Sequence, residues 1–253
     1  MRTAVVTGVS RRVGIGAALA RRLGSDGYAL LLTGLPAYDA VQPYGGDPDG
    51  VPALLAELAG RGVTARYETA DLLDPAAPAA VIAAAVDHFG QVDAVVANHA
   101  YSTDTPLGAL DAAEIDRHLL VNVRATLLLV DAFAAAFTGD AGRVVLFSSG
   151  QRLGPMHGEL AYAASKGGLE ALVPTLSDAL ADRHITVNAI NPGPTDTGYA
   201  EGAVYARVAA RFPGGRWGTP EDAARLVGWL CSPDAGWITG QIIDSEGGFR
   251  RWG

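Results

Sequence analysis

Seven short apolar runs recur along this chain, each followed by a stretch of helical character, and that alternation restricts the fold more than any other feature. The runs lie at 3–7, 28–33, 64–69, 93–97, 143–148, 185–190 and 241–244. Most are apolar at consecutive positions, as in Ala94-Val95-Val96-Ala97 and Val144-Val145-Leu146-Phe147. A strand without polar alternation has to be covered on both faces. Helices are predicted at 15–24, 51–60, 76–88, 112–137, 160–182, 201–211 and 220–231. Pro220 followed by Glu221 and Asp222 is a strong start, because proline fits the first turn and acids suit the helix dipole. The expected fold is a Rossmann-type, doubly wound parallel sheet of about seven strands with helices on both faces, in one domain over 1–253. Two segments break the rhythm. Residues 34–50 are rich in Gly, Pro and Asp and are expected as a long loop. Residues 192–218 have weak periodicity, and a substrate lid is expected at about 194–218.

Composition removes several classes of function. A net charge of −8 disfavours a nucleic-acid or anionic-membrane surface. The single cysteine, Cys231, cannot form an internal disulfide, which fits a reducing cytoplasm. Strand-like Thr3–Thr7 follows Met1 almost at once, so no signal peptide is expected. No bilayer span is expected either, since the apolar stretch Thr126–Phe137 is short and interrupted by Asp131. His88, His118 and His184 lack the spacing of metal ligands, and no metal site is expected.

The residues that carry chemistry cluster at predicted strand ends. Thr7-Gly8-Val9-Ser10-Arg11-Arg12-Val13-Gly14-Ile15-Gly16 follows the first strand and opens the first helix. Glycines there let the backbone turn sharply and approach a pyrophosphate, and the helix N-terminus offers free N–H groups to it. Asp71 follows the third strand, where its carboxylate could accept from an adenine amino group or cap a turn, with Leu72 beside it. Asn98 ends the fourth strand, and Ser148-Ser149 end the fifth. Tyr162 and Lys166 lie four apart on one helical face, and Lys166 is the only lysine in a chain with 19 Lys plus Arg. A lone lysine among arginines raises the question of what arginine could not do there. Lysine is a compact charge able to take part in proton transfer, whereas arginine stays protonated.

From end to end the chain resembles a single-domain short-chain dehydrogenase/reductase. Residues 7–16 resemble that family's glycine motif and 98–100 its Asn-Ala-Gly motif, while 191–193 match its Asn-Pro-Gly segment. The resemblance implies Asn122, Ser149, Tyr162 and Lys166 as catalytic residues. It implies cofactor contacts from Gly8, Ser10, Arg11, Arg12, Gly14, Ile15 and Gly16, and from Gly34, Asp71, Leu72 and Asn98. Further contacts are implied from Tyr162, Lys166, Pro192, Gly193, Thr195 and Thr197. Substrate contacts are expected from Gln151, Arg152, His157, Glu159 and Tyr199. The 34–50 loop and the 245–249 tail are similar to a bacterial subgroup labelled 3-oxoacyl carrier-protein reductases.

The chain departs from the family pattern at three places. The glycine motif is two residues longer than usual, His99 and Ala100 replace Ala and Gly, and Gly34 stands where NAD-preferring members place an acid. The implied reaction is hydride transfer between nicotinamide and a small carbonyl or secondary alcohol, with Tyr162 exchanging the proton. Lys166 is expected to lower the tyrosine pKa, Ser149 to bond the reacting oxygen, and Asn122 to support a water relay. NADP (NADPH) is expected over NAD, with Arg11 or Arg12 on the 2′-phosphate. The competing arrangement has Asp39 or Asp47 turning in to serve NAD. A homotetramer is implied, with apolar Leu169, Leu172, Val173 and Leu176 on several faces of the 160–182 helix and Gly247-Gly248-Phe249 packing across subunits. The alternatives are a non-redox enzyme of the same fold, dehydratase- or epimerase-like, and a non-catalytic dinucleotide sensor.

Overall fold

Burial alternates along the central strands between two separate cores, which accounts for runs that are apolar at every position. Ala4, Val6, Leu30, Leu32, Val96 and Val145 face one core; Val5, Leu31, Val95, Val144 and Leu146 face the other. The computed structural model describes residues 1–252; Gly253, the last residue of the expected domain, lies outside them.

The strands are β1 (Arg2–Thr7), β2 (Tyr28–Gly34), β3 (Ala65–Thr69), β4 (Ala94–Ala97), β5 (Gly142–Phe147), β6 (Ile185–Asn191) and β7 (Ile242–Asp244). They form one sheet in the order β3-β2-β1-β4-β5-β6-β7. Every neighbouring pair is parallel. The strand order reverses between β1 and β4, and a crevice opens there beyond the strand carboxyl ends.

Helices α1 (Ile15–Ser25), α3 (Gly50–Gly60) and α9 (Pro220–Leu230) cover one face through Leu19, Leu23, Leu54, Leu58, Ala224 and Val227. Helices α4 (Ala77–Phe89), α6 (Ala125–Ala136) and α7 (Leu160–Leu180) cover the other through Val81, Ile82, Leu129, Phe133 and Val173. The predicted start at Pro220 is a capping box in which the Thr219 side chain and Asp222 satisfy each other's backbone N–H groups.

Three expectations change. The 34–50 segment is not all loop. It contains α2 (Pro36–Ala40), which proline starts and which buries Asp39. The 112–137 helix is interrupted, with α5 (Ala112–His118) and α6 joined by a π turn over Leu119–Arg124. Ala112–Ala136 is one helical run of 25 residues, and its most apolar 18-residue stretch has mean hydropathy 1.7. That run is long and apolar enough to cross a membrane, contrary to the sequence reading. Here it lies along the sheet face beside α4 and α7, with 33% of the apolar window buried. Within its own chain, Phe249 packs on Phe212, with ring centroids 4.9 Å apart.

Candidate active site

A single cleft of about 1310 Å³ runs along the strand carboxyl ends. At one end are the N-terminus of α1 and the turn that precedes it. Gly8 adopts a left-handed φ of +72°, and a Cβ on it would lie 2.7 Å from Asn98 Nδ2. Asn98 returns the contact, with Nδ2 donating to the Thr7 and Gly8 carbonyls at 3.0 Å each. The first turn of α1 has no acidic residue and its cap, Gly14, makes no side-chain hydrogen bond. Its N–H groups are therefore available to a phosphate, which is how such a helix start holds a dinucleotide. The residues present fit a nicotinamide dinucleotide.

Gly8, Ser10, Arg11, Gly14, Ile15, Gly34, Asp71, Leu72 and Asn98 all line the cleft, as do Tyr162, Pro192, Gly193, Thr195 and Thr197. Three implied cofactor residues do not. Gly16 is a packing glycine, because a Cβ there would collide with the Gly8 carbonyl. Arg12 turns outward and grips Asp47, with Nε and Nη2 donating to the two carboxylate oxygens at 2.9 Å each. Lys166 lies beneath the cleft wall, 1% exposed, and its Nζ donates to the Phe147 carbonyl at 2.7 Å. Arg11 stays at the cleft. It donates to the Thr197 carbonyl at 2.8 Å and stacks over Tyr44 at 4.3 Å. Asp71 is both things the sequence allowed: it lines the cleft and accepts from the Leu73 amide at 2.9 Å.

At the other end, β5 delivers Ser149 and α7 delivers Tyr162. The Lys166 ammonium lies 5.6 Å from the Tyr162 ring centroid. Burial pulls the lysine down to about 8. Burial pushes the Tyr162 phenol up, and the Glu159 carboxylate pushes it further; the Ser149 hydroxyl acts the other way by bonding the phenolate. The expected lowering of the tyrosine by lysine is therefore not what sets its state here: the opposing contribution comes from Ser149, and loss of hydration costs the phenolate more than that bond returns.

Asn122 is fully buried in the π turn and does not line the cleft. Its Oδ1 accepts from the Tyr101 amide at 2.7 Å, and its Nδ2 donates to the Tyr101 carbonyl and to Ser165 Oγ at 2.9 Å each. The side chain therefore fixes the loop after β4. His99 stands neutral beside it, held near 3 by burial and by Lys166. Its Nδ1 lies 2.7 Å from the Thr7 hydroxyl and its Nε2 lies 3.1 Å from the Val121 carbonyl.

Of the expected substrate residues, Glu159 and Tyr199 line the cleft and three do not. Gln151 donates to Ser148 Oγ at 3.4 Å, His157 is exposed, and Arg152 is drawn away by Asp244 and Glu170. The cleft is also lined by Tyr38, Asp39 and Tyr44 from the 34–50 segment, of which the sequence had named only Asp39, and by Phe249, Arg251 and Trp252 from the tail, of which it had named only Phe249 and for a subunit contact. The length of the first segment was a signal for it. The sequence marked the tail at 245–249, but for subgroup resemblance and subunit packing and not for the cleft. Among the described residues no group of three or more His, Cys, Asp or Glu could hold a metal.

Comparison with known proteins agrees with this geometry. A family profile described as enoyl-(acyl carrier protein) reductase matches residues 8–250. The uncharacterized oxidoreductase YjdA of Bacillus subtilis is 39% identical over 251 residues, covering 98% of this chain and 96% of the relative. A short-chain dehydrogenase/reductase from Serratia marcescens superimposes with a TM-score of 0.87 at 31% identity, covering 98% of both chains. A blue fluorescent protein from a metagenomic library, solved with NADPH, gives 0.88 at 33% identity, covering 98% of this chain and 97% of the other. The family profile and these relatives match over nearly the whole chain, and the chain belongs to the short-chain dehydrogenase/reductase family of NAD(P)-dependent oxidoreductases.

Proposed function

We propose that the protein is an NADPH-preferring ketoreductase, working in the cytoplasm as a homotetramer on a small carbonyl substrate. The observation that carries the reductase reading is that Ser149 and Tyr162 stand together at one end of a cleft whose other end is an uncapped helix N-terminus. A bound reduced nicotinamide supplies the hydride. Pro192, Gly193, Thr195 and Thr197 form the wall beside it, and the Asn98 turn and Ile15 hold the rest of the cofactor.

The protein's own part is proton delivery. Tyr162, kept protonated by burial, gives its proton to the carbonyl oxygen. Ser149 donates a hydrogen bond to the same oxygen as negative charge develops, where a fixed donor in a dry site is most effective. Lys166 is close to neutrality in its ability to lose a proton, so it can return one to the phenolate and steady it meanwhile. Asn122 positions the loop that faces these groups. Residues 194–218, with Tyr199 edge-on to Trp217 at 5.6 Å and Tyr205 stacked on it at 5.2 Å, serve as the substrate lid.

The cofactor preference rests on what surrounds Gly34. A Cβ at that position would lie 2.5 Å from the Val9 carbonyl, so no acid fits there without moving the loop. The two acids that could serve NAD instead are engaged. Asp39 accepts from Ser10 and from Tyr44, and Asp47 is held by Arg12. Arg11, with no carboxylate partner among the described residues, is the cation left for a 2′-phosphate.

The tetramer rests on the apolar Ala112–Ala136 run, whose larger part is not buried by its own chain; Leu119 there is 40% exposed. Light scattering at micromolar concentration should give about four times 26.0 kDa, and a monomer would overturn the assembly. Mixing the protein with NADPH and a panel of ketones, diketones, quinones and β-ketoacyl thioesters should give steady loss of the reduced-nicotinamide absorbance with some member. Tight NADPH binding without turnover across the panel would replace the reductase reading by that of a sensor.

A further inference from the structure

We propose that Arg251, on the C-terminal tail, is a positioning residue for Ser149, and that its largely buried pair with Glu246 locks the Ser149 loop to the Asn191–Gly193 loop, which leaves the neighbouring strand β6. The inference rests on the oxidoreductase reading above and adds to it a part of the machinery that lies outside every motif.

The Arg251 guanidinium meets Glu246 as a fork on a fork: Nη1 donates to Oε2 at 2.5 Å and Nη2 donates to Oε1. The two side chains are only 16% and 9% exposed. Glu246 Oε1 also accepts from Asn191 Nδ2 at 2.7 Å, and Asn191 Oδ1 accepts from the Gly193 amide at 3.0 Å. The carboxylate therefore holds the start of the Asn-Pro-Gly loop directly. On its other side the guanidinium rests on bare backbone. A Cβ on Gly150 would overlap it, and one on Gly154 would lie 2.7 Å from the Arg251 Cδ. A Cβ on Gly193, whose φ is +63°, would lie 2.9 Å from Glu246 Cγ. Both loops thus present glycine where the pair passes, and Gly150 is covalently next to Ser149.

The tail is itself anchored. The Arg250 amide donates to the Arg211 carbonyl at 3.0 Å, Arg211 Nη2 donates to the Arg251 carbonyl at 3.1 Å, and the Phe249 ring packs tilted against Phe212. Arginine suits this place because it is planar and can lie flat on a glycine backbone while forking onto a carboxylate. A lysine ammonium would keep the charge and lose both the plate and the second bond. Ser149 must stand within a fraction of an ångström of the reacting oxygen to be of use, so a small shift of its loop carries a large cost in rate.

The test is a double-mutant cycle between Arg251→Lys and Ser149→Ala, read with NADPH and whichever panel carbonyl the wild-type protein reduces. Arg251→Lys alone should lower kcat about ten- to fiftyfold while leaving KM for NADPH within about twofold. In the Ser149→Ala background the same change should cost less than about threefold, because the group being positioned is gone. An equal loss in both backgrounds, or no loss in the first, overturns the proposal. A wild-type protein that reduces nothing while binding NADPH overturns the reductase reading instead. Hydrogen exchange then decides the coupling without activity. Arg251→Lys should speed exchange in 149–154 and 191–195 and nowhere in the sheet, and unchanged protection in both segments refutes the coupling. Arg251→Gln, which removes the charge, serves as the second variant should Arg251→Lys fold poorly.

Discussion

The two ends of the cleft are built by different means. At the nucleotide end the walls are backbone: Gly8, Gly14 and Gly34, with Gly16 packed behind them, allow close approach, and the helix start contributes its N–H groups. At the substrate end the walls are side chains held by other side chains, from the 191–218 segment and from a tail that closes back over Gly150. A backbone-built wall is fixed by local conformation and fails when an atom is added. A side-chain-built wall depends on partners far apart in the chain and fails when an atom is removed. Buried ion pairs of the second kind contribute little net stability but leave a costly unpaired charge when one partner is cut away.

The largest effect should come at the seam between the two ends. Tyr162→Phe removes the proton donor and should lower kcat about a hundred- to ten-thousandfold while NADPH affinity stays within a few-fold. Steady-state rates beside a fluorescence titration of NADPH check this. A variant retaining most of the wild-type rate would show that the seam is placed wrongly.

Adjacent arginines sharpen the contrast at the nucleotide end. Arg11→Ala should cut the NADPH-over-NADH ratio in kcat/KM by about ten- to a hundredfold, the worth of one charge-assisted contact. Arg12→Ala should change it less than about threefold, because that guanidinium is committed to Asp47 on an exposed surface. Equal effects of the two, or a wild-type preference for NADH, would break the assignment.

The smallest effect is a pH dependence at the seam. Lys166 has its folded pKa lowered from 10.5 to about 8 by burial. Above pH 8 the folded state therefore binds fewer protons than the unfolded chain, and stability rises with pH. The gain should be about 1 kcal/mol between pH 8 and 9. Beyond 9 the buried Cys231 thiol, raised to about 12, contributes in the opposite sense. Denaturant titrations should show the rise in wild-type protein and no rise in Lys166→Met, where only the opposing Cys231 contribution is left. A rise that survives the substitution assigns it to another group.

The arginine pair also shows where reading from sequence stops. Spacing alone placed Arg11 and Arg12 in one loop with equal access to a phosphate, and only the fold of 34–50 separated them by bringing Asp47 to one and Tyr44 to the other. The same holds after Ser149. Gln151 and Arg152 follow it in sequence, yet the short helical turn there aims them at Ser148, Glu170 and Asp244, and the space they were expected to fill is taken by the tail.

What the sequence determined by itself is what depends on local periodicity and backbone freedom. Strand runs apolar at consecutive positions require two covered faces, a glycine cluster after the first strand forms the tight turn into the first helix, and four-residue spacing puts Tyr162 and Lys166 on one helical face. What only the tertiary structure decided are the pairings between residues distant in the chain: Arg12 with Asp47, Asn122 with Tyr101, and Arg251 with Glu246 over Gly150. The physical reason is range. A hydrogen bond or ion pair acts over a few ångströms in space, and no pattern along the chain records which surface groups folding will bring that close.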